Sequence, residues 1–148
     1  LLVHTVEVIE TVLAWPGIDI QTRNLAAVGG LFHDIGKILT IRLPGQSTEL
    51  GGLVSHENLA IYICGPALKV LETAWPAGAY ALMHIWTAQI GEYAYDRKAL
   101  AAHLVSAADG VSAYAAAHAK AFEPHAAWRR SSSLDTQKFW RPLDTRQS

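Results

Sequence analysis

Six residues have the types and order to do chemistry: His4, His33, Asp34, His56, His84 and Asp109, a pattern of H…HD…H…H…D. Imidazole nitrogens and carboxylate oxygens suit first-row divalent metals such as manganese, iron, nickel, cobalt or zinc. His33 and Asp34 are adjacent, so on a helix they diverge by about 100°, and an ion between their two faces is still within reach of both. An Asp beside a His can also bridge two ions through its two oxygens. Four His and two Asp are enough ligands for two ions with positions left open for water and substrate. Lys37 follows His33 by one helical turn and shares its face. Its ammonium is a point charge suited to a phosphate, so Asp34 and Lys37 are the expected catalytic pair. A single His-Asp pair carries little information, and with seven His in the chain loose matches arise easily. Local context therefore matters more than the count. His103 and His118, close to four turns apart on one helix, cannot share an ion. Together with His125 they read as structural or surface residues.

The elements that must position these groups read as helices throughout, so the expected class is all-α. Leu2, Val6, Ile9 and Leu13 recur at helical steps, and Trp15-Pro16-Gly17 ends that helix. A second helix from Thr22 carries Leu25, Val28, Phe32, Ile35 and Leu39 as its stripe, with Gly29 and Gly30 serving close packing. Residues 40–52 form a loop turning at Pro44-Gly45. A helix over 55–63 breaks at Gly65-Pro66, and a short one follows over 66–74. Pro76 opens the helix that carries His84 through to Ile90. A long Ala-rich helix over 97–122 presents Leu100, Leu104, Ala107, Val111, Tyr114, His118 and Phe122, with Asp109 beside that stripe. A carboxylate on a largely buried helix needs a partner, and a metal would supply one. After Pro124 the pattern decays. Arg129–Ser133 reads as a linker, and Phe139-Trp140 as an apolar anchor that packs back on the domain or a neighbour rather than on a nucleic-acid base. The expected division is a helical metal-binding domain over 1–124 and a C-terminal extension or linker over 125–148.

Composition bounds these expectations. The chain has 148 residues, 51% of them hydrophobic, so it can bury a core. Its net charge of −1 argues against a polyanion-binding surface over the whole domain, but not against a local one. The single cysteine, Cys64, excludes an internal disulfide and a cysteine zinc site. A reducing, cytoplasmic setting is expected. No apolar run approaches a membrane span, and no secretory signal is visible. The opening Leu1-Leu2-Val3, without Met, reads as an excised or processed domain.

The run Leu31-Phe32-His33-Asp34-Ile35-Gly36-Lys37 resembles the HDxGK core of the HD-domain superfamily of metal-dependent phosphohydrolases. Leu2–Val8 resembles that family's first-helix His segment, and Ser106–Ser112 its closing helix, where an Ala-Asp pair supplies the last ligand. Gly52–Glu57 and Leu82-Met83-His84 resemble the extra His segments of the dinuclear branch; Ile85 follows His84, so the paired-His variant is absent. The resemblance implies a compact helical bundle of about five to seven helices with a metal site in its core. It implies a first ion on His4, His33, Asp34 and Asp109, and a second on Asp34, His56 and His84. It implies hydrolysis of a phosphate ester on a nucleotide or nucleic-acid end. Leu53–Glu57, Pro66-Ala67-Leu68 and Ala74-Trp75-Pro76 are also similar to HD domains of relaxases from integrating conjugative elements, which implies DNA as a partner through a larger parent protein. A non-catalytic metal-binding accessory module and an HD-fold diiron oxygenase are the two alternatives. No independent substrate motif distinguishes them.

Overall fold

A computed structural model describes residues 2–42, 45–88 and 99–142. The chain divides into two compact units, Leu1–Asp109 and Gly110–Ser148. The described residues are mostly helical, as expected. The order is α1 (Leu2–Ala14), α2 (Ile20–Phe32), α3 (Lys37–Thr40), β1 (Ile41–Arg42), β2 (Gln46–Ser47), α4 (Glu49–Leu53), α5 (His56–Ala74), α6 (Pro76–Thr87), α7 (Leu100–Phe122), β3 (Ser131–Leu134) and β4 (Gln137–Trp140). Two small antiparallel hairpins, β1–β2 and β3–β4, are additions to the all-α expectation.

In the first unit, α1 ends where Gly17 adopts φ +75°, a left-handed conformation that glycine takes without a Cβ clash. α2 starts at Asp19, whose carboxylate accepts the Thr22 N–H at 2.9 Å. The buried faces differ from the expected stripes. α1 buries Thr5, Val8 and Val12, while Leu2, Val6 and Leu13 are exposed. α2 buries Ala26, Gly29 and Gly30, while Val28 is exposed. The first-unit part of α7 buries Ala101, Ala102, Leu104, Val105 and Ala108 rather than Leu100 and Ala107. Small residues win these positions because the helices approach closely. A Cβ on Gly29 would come within 2.6 Å of Ile85, and one on Gly30 within 3.2 Å of Val8. The close approach also lets the Trp86 indole N–H donate to the Gly29 carbonyl at 3.0 Å. The core is Val8, Val12, Ala26, Ala60, Leu68, Ala79, Leu82, Ile85, Trp86 and the buried face of α7, joined at its edge by Phe32 and Ile35.

The expected loop over 40–52 instead holds the β1–β2 hairpin and α4. Gly45 turns the hairpin at φ +93°; Pro44 lies outside the described residues. The expected break at Gly65-Pro66 does not occur, and α5 runs through Pro66. Pro66 removes the N–H that would bond the Tyr62 carbonyl. Tyr62 is 76% exposed, so that carbonyl lies on the side open to water. Ile90 and Arg97, expected ends of α6 and α7, also lie outside the described residues.

In the second unit, the linker expected at Arg129–Ser133 gives way to strand β3 from Ser131 onward. Phe139 and Trp140 part company, because successive residues of a strand face opposite sides. Phe139 is buried with Ala121 and Phe122, but Trp140 is 63% exposed.

The corrected face of α1 sets a test. Val8→Ala removes fully buried methyl groups and should cost about 2 kcal/mol of unfolding free energy. Val6→Ala, on the exposed side, should change it by less than about 0.5 kcal/mol. Chemical denaturation of both variants gives the comparison, and equal losses would restore the expected stripe.

Candidate metal centre

Three elements bring ligand-type atoms to one place in the first unit: α1 with His4, the turn after α2 with His33 and Asp34, and α7 with Asp109. The turn at His33–Gly36 is where the chain changes winding. Ile35, Lys37, Ile38 and Leu39 donate their N–H groups three residues back, to Phe32, Asp34, Ile35 and Gly36, at 2.9–3.2 Å. This tighter spacing interrupts the continuous helix that the sequence pattern suggests. It also needs Gly36. There φ is an ordinary −61°, but a Cβ would overlap the His56 carbonyl. The start of α5 therefore packs directly on the turn that bears Asp34.

His4 Nε2 lies 2.9 Å from Asp109 Oδ1, 3.3 Å from His33 Nε2 and 3.8 Å from Asp34 Oδ2. His33 Nε2 lies 3.6 Å from Asp34 Oδ2 and 3.7 Å from Asp109 Oδ1. Among the described residues, His4, His33 and Asp34 form a group able to hold a metal ion, their ligand atoms all within 4.8 Å of one another. The His33 tautomer follows from its other nitrogen. Nδ1–H donates to the Gly30 carbonyl at 2.6 Å, which leaves Nε2 as the nitrogen facing His4 and the carboxylates, free to hold a metal or, without one, a proton shared with Asp109. This donor set fits a divalent ion: imidazole and carboxylate, crowded tightly enough that a cation between them relieves their mutual repulsion.

Asp34 is buried and uses its two oxygens on two sides. Oδ2 faces the His4–His33 group and accepts from Lys37 Nζ at 2.6 Å, and Oδ1 faces His56 Nε2 at 3.2 Å. His56 Nδ1 is 3.4 Å from Glu57 Oε2. Glu57 is not among the residues expected from the sequence, although an acid beside a ligand-type His in the first turn of a helix is the available signal. Asp109, His56 and His84, which is half-buried on α6, are not in the group within 4.8 Å. Of the six expected ligands, His4, His33, Asp34 and Asp109 converge and His56 reaches them through Asp34. His103 is exposed, and His118 has a packing role in the second unit, bonded to the Trp140 carbonyl and set against Phe122.

The electrostatics of the metal-free site centre on His33 and Asp109. Burial opposes the charged His33 imidazolium, but its bond to Asp109, the Gly30 carbonyl and the charges of Asp34 and Asp109 outweigh that, and its pKa is raised. The Asp109 pKa is lowered, mainly by the bond from His33 against the opposing effect of burial, with further help from the charges of His33, His4 and Lys37.

No family model, curated protein or solved structure matches this chain.

The two shifts fix a pH window for the metal-free protein. His33 stabilises fully below its ordinary pKa of 6.5, and this is lost as pH rises through its higher folded value. Asp109 stabilises fully above its ordinary 3.8, and this is lost as pH falls through its lower folded value. The pair therefore contributes most between those two ordinary values. Thermal melts of chelator-treated protein across pH should show that Asp109→Asn loses most stability inside this window and least outside it. A loss independent of pH would show that the pair adds nothing through its charges.

Proposed function

We propose that this protein is a metal-dependent phosphohydrolase of the HD type, acting on a phosphate ester of a nucleotide or nucleic-acid end. The observation that carries the reading is the convergence of His4 Nε2, His33 Nε2, Asp34 Oδ2 and Asp109 Oδ1, with His33 Nδ1 already committed to Gly30. The resemblance of Leu31–Lys37 to the HDxGK core supports the same reading. In this proposal His4, His33, Asp34 and Asp109 hold one divalent ion, and Asp34 with His56 and His84 holds a second. Bound divalent ions lower the pKa of water and stabilise charge on a phosphoryl group.

The remaining roles belong to the chain's own groups. Gly30 fixes the His33 tautomer, and Glu57 orients His56 in the same way. Asp34 presents one oxygen to each side of the site. Lys37 is held beside Asp34, and its side chain is about one-third exposed, so an anionic substrate reaches its ammonium from solvent. There it neutralises phosphate charge as a point cation.

Elemental analysis of purified, manganese-loaded protein tests the ligand set. Wild type should hold about two ions per chain. Asp34→Ala should lose bound metal while far-ultraviolet circular dichroism stays largely unchanged. A stoichiometry near one that His84→Ala does not alter would remove His84 and the second ion from the proposal.

Activity is tested with a panel of phosphodiesters and nucleotides. Lys37→Ala should retain metal and lose roughly 10²–10³ in turnover, as for removal of one well-placed charged contact in a transition state. Equal rates would take Lys37 out of the mechanism. Metal binding without turnover by wild type across the panel would favour the accessory-module alternative, and oxygen consumption by the iron form would favour the oxygenase.

A further inference from the structure

The charge of the chain is unevenly distributed. Residues 1–109 hold six Lys and Arg against ten Asp and Glu, whereas residues 110–148 hold six against three. In the second unit the basic residues gather around the β3–β4 hairpin: Arg129, Arg130, Lys138 and Arg141, with Asp135 at the turn between the strands. The register pairs Ser131 with Trp140 and Ser133 with Lys138 across the strands, and Ser132 with Phe139 between them. Strand alternation thus separates two faces. On the inner face Phe139 is buried, and the Ser132 hydroxyl donates to the Ala121 carbonyl at 2.6 Å. On the outer face Trp140 and Lys138 each stand opposite a small serine. Beside them lies an open groove of about 610 Å³, lined by His125, Arg129, Lys138 and Trp140 and reaching Ser132 and Phe139 of the inner face.

The hairpin is held from within its own unit. The His118 ring N–H donates to the Trp140 carbonyl at 3.3 Å, and His118 packs edge-on against Phe139. Arg141 spends its guanidinium on the carbonyls of Ala126, Ala127 and Arg129 at 3.0–3.2 Å and lies 4.3 Å over the Phe122 ring. Arg141 is therefore structural, whereas Arg130, Lys138 and Arg129, whose Nε donates to the Ser131 carbonyl at 3.0 Å, are exposed cations. Nothing in the fold of the described residues requires a largely exposed indole on this platform, since Phe139 already fills the apolar side.

We propose that the outer face of the β3–β4 hairpin binds single-stranded nucleic acid, with Trp140 as the stacking surface for a base and Lys138 and Arg129 as contacts to backbone phosphates. An exposed aromatic ring interleaved with cations in an open groove is the chemistry that unpaired bases on a polyanion need. A duplex keeps its bases stacked on one another and offers no face to Trp140. A free mononucleotide would be poorly enclosed by so open a groove. The serines opposite Trp140 and Lys138 keep the platform low enough for a chain to lie across it. This proposal concerns the second unit alone, so it stands or falls separately from the metal-dependent activity.

Fluorescence anisotropy of a labelled single-stranded oligonucleotide of about a dozen nucleotides, with the full chain at low salt, tests it. Binding should weaken steeply with salt, and the unlabelled duplex and a mononucleotide should compete poorly. Trp140→Ala should weaken binding roughly 5- to 150-fold, the range for loss of one stacked base. Trp140→Tyr, which keeps an aromatic face, should retain most of the affinity. Lys138→Ala should lower the slope of log affinity against log salt by about 0.7. Lys69→Ala, which removes an exposed cation from α5, should change neither quantity. The proposal is overturned by absence of binding, by equal affinity of Trp140→Ala and wild type, or by a duplex or mononucleotide that competes as well as the single strand.

Discussion

Lone pairs that face one another across a small space repel unless a positive charge stands among them. The first unit of this protein is arranged around such a space. The two imidazole nitrogens of His4 and His33 lie 3.3 Å apart and each lies 2.9–3.8 Å from a carboxylate oxygen of Asp34 and of Asp109, and the Nδ1 of His33 is held from behind by the Gly30 carbonyl. Lys37 already contributes one cation at Asp34. In the metal-free protein a proton on His33 shared with Asp109, and the Lys37 ammonium beside Asp34, offset part of that repulsion. The surrounding helices hold the rest of the cluster in place.

The means of holding it is close backbone approach. Gly30 sits against Val8 of α1, the helix that carries His4. Gly29 admits Ile85 and accepts the Trp86 indole, which fixes α6 against α2. Gly36 admits the His56 carbonyl, which sets the start of α5 against the turn that bears Asp34. Each contact acts twice, once in packing and once in placing a ligand-bearing backbone. The same glycines therefore govern both fold and site, and a methyl group added at Gly36 would displace the two sides of Asp34 from each other.

The sequence showed the chemistry of this region more clearly than its packing. His4, His33, Asp34 and Asp109 were recognisable from residue type and local context, and the structure brings them together. The helices α1, α6 and α7 were also legible, whereas α5 was expected as two helices and α2 as running on through Leu39. The close packing at Gly29 and Gly30 was legible as well. The rest of the buried faces was not, because large side chains carry the periodic signal while Ala26, Ala101, Ala102 and Ala108 mark contact by their smallness. Pro66 misled for a related reason: a proline signals a break by default, but on the exposed side of α5 the unpaired carbonyl costs little. The β3–β4 hairpin was hidden because its strands are rich in serine and polar residues, with Phe139 the one large side chain on its inner face that is fully committed to packing. The role of Glu57 beside His56 lay outside any periodic signal, since it depends on where a side chain points.

The ligand-type residues that meet come from far apart in the chain, and this has a consequence for how the protein is made. His4 and Asp109 are 105 residues apart, yet their side chains touch. At about 5–20 residues per second, a ribosome needs roughly 5–20 s to extend the chain from one to the other. During that interval the His33-Asp34 turn has been synthesised without its last neighbour. A long loop must then close before His4 and Asp109 meet, which places their contact late in folding. The complete constellation thus belongs to the finished fold, and a nascent chain offers a passing cation only fragments of it.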